Sequence, residues 1–261
     1  FHFLTVHALG GVVAAVPAVD PLPPGGSGND SDALRFDPAA AERIGRDALA
    51  ELRRLRLAEL VRSNPALLDV DPDGAPVRRG LLIAIDPTEA QIRAAAAAGF
   101  AVQAQEDLGG LISVTLGIPA RMSARAAMKR LMIAAPGLTA DYDHVYEPAG
   151  GALLPVASAP LAAAVPPPMP AGRTIVMIDG GVAAHPSLAG ASIVQQDFAG
   201  PARATGHGTA VASLLIGRDG AFRGAAGGAK LFVADVYGGS PAAGSASAIV
   251  RALAWAASKQ P

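Results

Sequence analysis

Apolar and polar positions follow two periods along this chain. From Pro38 to about Ser63 the period is helical. Ile44, Ala48, Leu52 and Leu55 share one stripe, and Arg43, Arg46, Arg53, Arg54 and Arg56 lie largely off it. Glu42, Asp47, Glu51 and Glu59 interleave with the arginines, so a solvated face on a packing helix fits better than a lipid-binding one. The blocks then shorten. "GLLIAI" (80–85) predicts a buried strand, and "DPTEAQIRAAAAAG" (86–99) a helix with Asp86 as cap, Pro87 first and Gly99 closing it. "FAVQAQE" and "LISVTLGI" predict two strands joined by a "DLGG" turn (107–110). "SARAAMKRLMIAA" (123–135) predicts a helix capped by Ser123, and "LTADYDHVYE" (138–147) a last strand.

The resulting order, βαββαβ over residues 78–149, is that of an α+β ferredoxin-like sandwich, which by itself assigns no activity. Residues 38–77 form a helical pre-segment. Residues 150–172 carry too many prolines for any regular element and form an extended, nickable linker. From Arg173 to Pro261 strands and helices alternate, as in an α/β domain: "RTIVMID" (173–179), the helix "GTAVASLLIG", the strand "AKLFVADVY" and the helix "SASAIVRALAWAASKQ". Two strands do not complete a doubly wound sheet, so this domain is expected to be truncated.

Composition narrows the function. A net charge of −1 argues against nucleic acid as a partner. With no cysteine there is no disulfide, thiolate metal site or cysteine nucleophile. Residues 1–19 contain "FLTVHALGGVVAAVPAV", which has the character of an exported signal's apolar region, with Val16 and Ala18 as a cleavage pair; a membrane anchor is the competing reading. A Pro/Gly/Ser/Asp-rich linker, residues 20–37, follows. The expected location is secreted or periplasmic.

Two residues stand out chemically. In a parallel α/β sheet, functional groups gather at the carboxyl ends of strands, where Asp179 sits after "IVMI". Gly180 and Gly181 permit a sharp turn and a close approach to the carboxylate. His207, between Gly206 and Gly208, opens the next helix and would face the same crevice, the glycines leaving the imidazole accessible.

"IVMIDGGVAAHPSLAG" (175–190) and "GHGTAVASLLIG" (206–217) resemble the aspartate and histidine motifs of the subtilisin-like serine proteases, the subtilases. "GAAGGAKLFVADVYG" (224–238) and "AIVRALAWAA" (248–257) resemble that family's next core strand and helix. The resemblance implies an Asp-His-Ser triad in which Asp179 holds and orients His207, and His207 is the general base and then acid. It also implies a polypeptide substrate, and that residues 78–149 are a propeptide serving as intramolecular inhibitor. Gly180 stands where the family has Ser or Thr, and Ala210 where a second His often stands. No Gly-Thr-Ser nucleophile motif occurs, so the serine and the oxyanion-hole Asn are expected beyond Pro261, and this chain alone is expected to be inactive.

The loop "GGSPAAG" (238–244) falls where the family offers a strand edge to substrate, making Ser240 and Gly244 substrate-binding candidates. His185 corresponds to a structural position. His144 with Asp141 and Asp143 is too commonplace a grouping to assign as a metal site. No cofactor is assigned, and calcium enters only through the family. Two other readings compete: a non-catalytic truncated subtilase acting as protease inhibitor or folding helper, and, from "MIDGGV", a phosphate loop like those of actin-like sugar kinases.

Overall fold

The computed structural model describes residues 38–148 and 172–261. The signal-like segment (1–19), the linker 20–37 and all but the last residue of the linker 150–172 lie outside the described residues. The chain divides into two compact units, residues 1–59 and 60–261. Helix α1 (Pro38–Ser63) accounts for the described part of the first. Leu52 and Leu55, from the stripe expected to pack, are exposed. Arg54 pairs with Glu51 one turn away, at 2.6 Å.

The second unit mixes helices and strands around two larger sheets, with a third of only two strands. In the first sheet, β1 (Leu68–Val70), β2 (Pro76–Ile85), β3 (Ala101–Asp107), β4 (Ile112–Gly117) and β5 (Thr139–His144) all pair antiparallel. β2 is central: β5 runs along one flank, and β1 and β4 follow one another along the other. Helices α2 (Glu89–Ala97) and α3 (Ala124–Ala134) close one core with Leu82, Val114, Leu116 and Leu131. Each fully buried leucine there contributes about 1.5–3 kcal/mol.

Two expectations change in this sheet. The apolar pattern predicts no strand between Ser63 and residue 78, yet β1 and a turn at Asp71–Ala75 form a hairpin with β2. That strand is three residues long, too short for an alternation to register. Asp86 is also not the cap of α2. Its backbone and carboxylate both pair with Ile112, and Thr88 caps the helix in a reciprocal box with Gln91. Ser123 does cap α3, and Gly99 follows α2 at φ +92°.

The second sheet is parallel, in the order β6–β10–β7: β6 (Thr174–Asp179), β7 (Ile193–Asp197) and β10 (Lys230–Asp235). It has three strands where the pattern predicts two. β7, "IVQQD", carries only two apolar residues and is an exposed edge, so its sequence reads as a loop. A two-strand hairpin, β8 (Arg218–Asp219) and β9 (Phe222–Arg223), likewise leaves no periodic trace. Helix α4 (Gly206–Ile216) contributes Ala212 and Ile216 to the core containing Met177, Leu231 and Val233. Helix α5 (Ala246–Ser258) contributes Ala252 and Trp255 to the core containing Ile178, Ala234 and Val236. Alternate residues of β6 and β10 thus serve opposite faces, one helix to each. No helix among the described residues is long and apolar enough to cross a membrane.

Candidate active site

The carboxyl ends of the parallel strands build the site. β6 delivers Asp179, whose carboxylate is buried and accepts the Gly180 N–H at 2.6 Å. Beyond it the chain pairs, in parallel, with the segment entering α4. Gly181 N–H donates to Arg203 O at 3.1 Å, and Thr205 N–H donates to Gly181 O at 2.8 Å. Thr205 is the N-cap of α4, its hydroxyl accepting the Gly208 N–H at 2.9 Å. His207 therefore stands in the first turn of α4.

From there its Nδ1 lies 2.8 Å from Asp179 Oδ2 and 3.0 Å from Oδ1. An Nδ1–H donated into the carboxylate selects the tautomer whose Nε2 carries a free lone pair. The His207 side chain is 38% exposed, and among the described residues Nε2 has no hydrogen-bond partner. A fixed imidazole with one nitrogen anchored and the other open can accept a proton from a neighbouring group.

The glycines act by close approach. A Cβ on Gly180 would collide with the Thr205 side chain, and one on Gly181 would lie 2.8 Å from Arg203 O. Gly208 differs from expectation. It does not clear access to the imidazole; a Cβ there would collide with Gly180 O, so its absence lets α4 press onto the β6 turn. Gly206 has open space around it.

The remaining candidates separate. Gly244 is buried, and its carbonyl accepts the Tyr146 N–H at 2.9 Å, beside an antiparallel bridge between Val145 and Ser245. Ser240 is exposed and its hydroxyl accepts the Ala242 N–H within its own turn, so it takes no part in that pairing. His185 caps the short helix Pro186–Leu188 through Ser187, a structural task. His144, Asp141 and Asp143 do not converge. His144 Nε2 meets Asp71 Oδ2 at 3.0 Å, Asp143 on the opposite strand face meets Arg78 and Ser247, and Asp141 is exposed. No group of three metal-ligating side chains occurs among the described residues.

Asp71 itself is perturbed. Burial pushes its carboxyl up, but the His144 ring and the Ala75 and Asp73 N–H groups together outweigh burial and hold it below the ordinary carboxylate range. A groove of about 650 Å³ lies along Val182–Pro186, Leu188 and Gln195, and neither Asp179 nor His207 lines it. Its Gln195 side chain is engaged with both the Val182 N–H and C=O.

Sequence reasoning missed Asp235. It ends β10 directly opposite Asp179 in register, is buried, and accepts three backbone N–H bonds, from Arg203, Tyr237 and Gly238. The signal was present: "LFVAD" is a second apolar strand ending in a carboxylate, like "IVMID". Against known proteins, no family model, curated protein or solved structure matches this chain.

Proposed function

We propose that this chain is the N-terminal portion of a subtilisin-like serine endopeptidase in its pro-form, with Asp179 and His207 as two members of an Asp-His-Ser triad. In this reading residues 173–261 begin a doubly wound subtilisin-like domain, and residues 78–149 are a ferredoxin-like propeptide. The observation that carries it is the 2.8 Å contact from His207 Nδ1 to Asp179 Oδ2, with the imidazole half-exposed at a helix start. Asp179 would hold the tautomer and stabilise the imidazolium. His207 Nε2 would take the serine hydroxyl proton as the oxygen attacks the peptide carbonyl, then give it to the leaving amine.

In this reading the nucleophile comes from outside these residues, because none of their serines stands in a Gly-Thr-Ser motif. Ser213 Oγ donates to Thr209 O, and Ser245 and Ser247 bond to each other and to helix α5 or Asp143. The backbone bond from Tyr146 N–H to Gly244 O, beside the single bridge of Val145 with Ser245, supports a propeptide acting as intramolecular inhibitor, since it ties the end of residues 78–149 to the loop before α5. Export and a polypeptide substrate are part of the same proposal.

The test joins these residues to the sequence that follows them in the gene and assays peptide hydrolysis and labelling by a fluorophosphonate. Hydrolysis that is abolished by His207→Ala, with one labelled serine, supports the proposal. Hydrolysis unaffected by His207→Ala, or a folded product with no labelled serine, overturns it.

A further inference from the structure

We propose that Asp235 is a positioning residue for the Asp179–His207 pair, acting through the segment Arg203–Thr205. This role deepens the functional reading above and rests on that pair being the working site.

A buried carboxylate is unfavourable unless its lone pairs are filled, and an apolar side chain at the end of β10 would serve the core at less expense. Asp235 is 1% exposed, and three N–H groups fill it. Two come from the turn just after it: Oδ1 accepts from Tyr237 and Gly238, both at 3.0 Å. The third is long-range, Oδ2 accepting from Arg203 N–H at 2.8 Å across 32 residues of sequence.

That third bond connects to the pair. Arg203 O and Gly181 N–H, then Gly181 O and Thr205 N–H, form a short parallel ladder. Asp179 lies two residues before Gly181, and His207 two residues after Thr205, the helix N-cap. The ladder thus sets how far the imidazole stands from its carboxylate, and Asp235 anchors the ladder's outer strand to the central strand β10. The fit at this anchor is close. A Cβ on Gly181 would lie 3.1 Å from Asp235 Oδ2 as well as 2.8 Å from Arg203 O. The sheet alone does not supply this anchor, because Arg203 lies outside all three parallel strands.

Asp235→Asn is the discriminating variant. It keeps shape and one acceptor oxygen, but sets an NH2 group against a backbone N–H, donor facing donor. The experiment uses this 261-residue chain labelled with 15N and reads the His207 ring Nδ1–H resonance, assigned by its loss in His207→Gln. The wild type is expected to show a slowly exchanging, downfield ring proton bonded to Asp179. Asp235→Asn is expected to lose it, while Thr88→Ala, which removes a distant helix cap and so lowers stability generally, keeps it. A ring proton unchanged in Asp235→Asn overturns the positioning role and leaves the Asp179–His207 reading standing. No such proton in the wild type overturns both. If Asp235→Asn does not fold, the Arg203 amide of the wild type decides. Protection from exchange like that of β10 amides supports the anchor, and exchange as fast as an exposed loop amide overturns it.

Discussion

Asp143 and Ser247, 104 residues apart in sequence, share two hydrogen bonds of 2.9 Å: Ser247 N–H donates to Asp143 Oδ1 and Ser247 Oγ–H to Oδ2. Asp143 lies near the end of a strand of the antiparallel sheet, and Ser247 lies in the first turn of α5, which covers the parallel sheet. The carboxylate fills an N–H that the helix cannot satisfy itself and sits at the positive end of its dipole. Arg78 Nη1, 3.1 Å away, balances the charge.

Asp143→Ala should therefore destabilise residues 60–261 by about 2–4 kcal/mol, since it strands a helix N–H, a hydroxyl and an arginine together. Urea unfolding measures it. A loss no greater than that of an ordinary surface substitution would show that this node contributes little.

Two alanine substitutions in one helix turn should have opposite signs. Gly206→Ala meets open space and should be neutral or stabilising by up to about 1 kcal/mol, because alanine favours the helix. Gly208→Ala drives a methyl into the Gly180 and Gly181 carbonyls and should cost about 1–3 kcal/mol despite the same propensity gain. Thermal unfolding of the two variants side by side checks the sign.

If the proposed triad is completed by a serine outside these residues, Asp179→Asn should lower kcat of the active protein by roughly 10⁴, because the amide favours the wrong tautomer of His207. The bond at 2.8 Å is the one altered. Near-normal turnover would remove Asp179 from the mechanism.

The Asp71–His144 contact makes a contribution that depends on pH in a definite direction. The Asp71 carboxyl is held below its ordinary value in the folded chain, so folding favours the ionised form. Its stabilisation is complete above the unfolded value, about 3.9, and is lost as pH falls through the lower folded value. Asp71→Asn should flatten that acid limb of the stability profile, which urea unfolding as a function of pH measures. An acid limb identical to that of the wild type would refute the assignment.

Periodicity and end signals determined the mixed α/β composition, the helices at 89–97, 124–134, 206–216 and 246–258, and the candidacy of Asp179 and His207. These features rest on local physics: apolar spacing, Ser123 as a cap, a carboxylate at the end of an apolar run. Local physics was insufficient for β7 and the hairpin at 68–78, whose short or polar strands exist because a neighbour supplies the other half of each hydrogen bond. It also misplaced the start of α2, since Asp86 is claimed by Ile112 across the sheet. Only the tertiary structure decided that His207 meets Asp179, that Gly208 is a packing requirement and that Asp235 stands beside them. Distances between residues far apart in sequence are set by strand register and helix packing, which no single stretch of the chain contains.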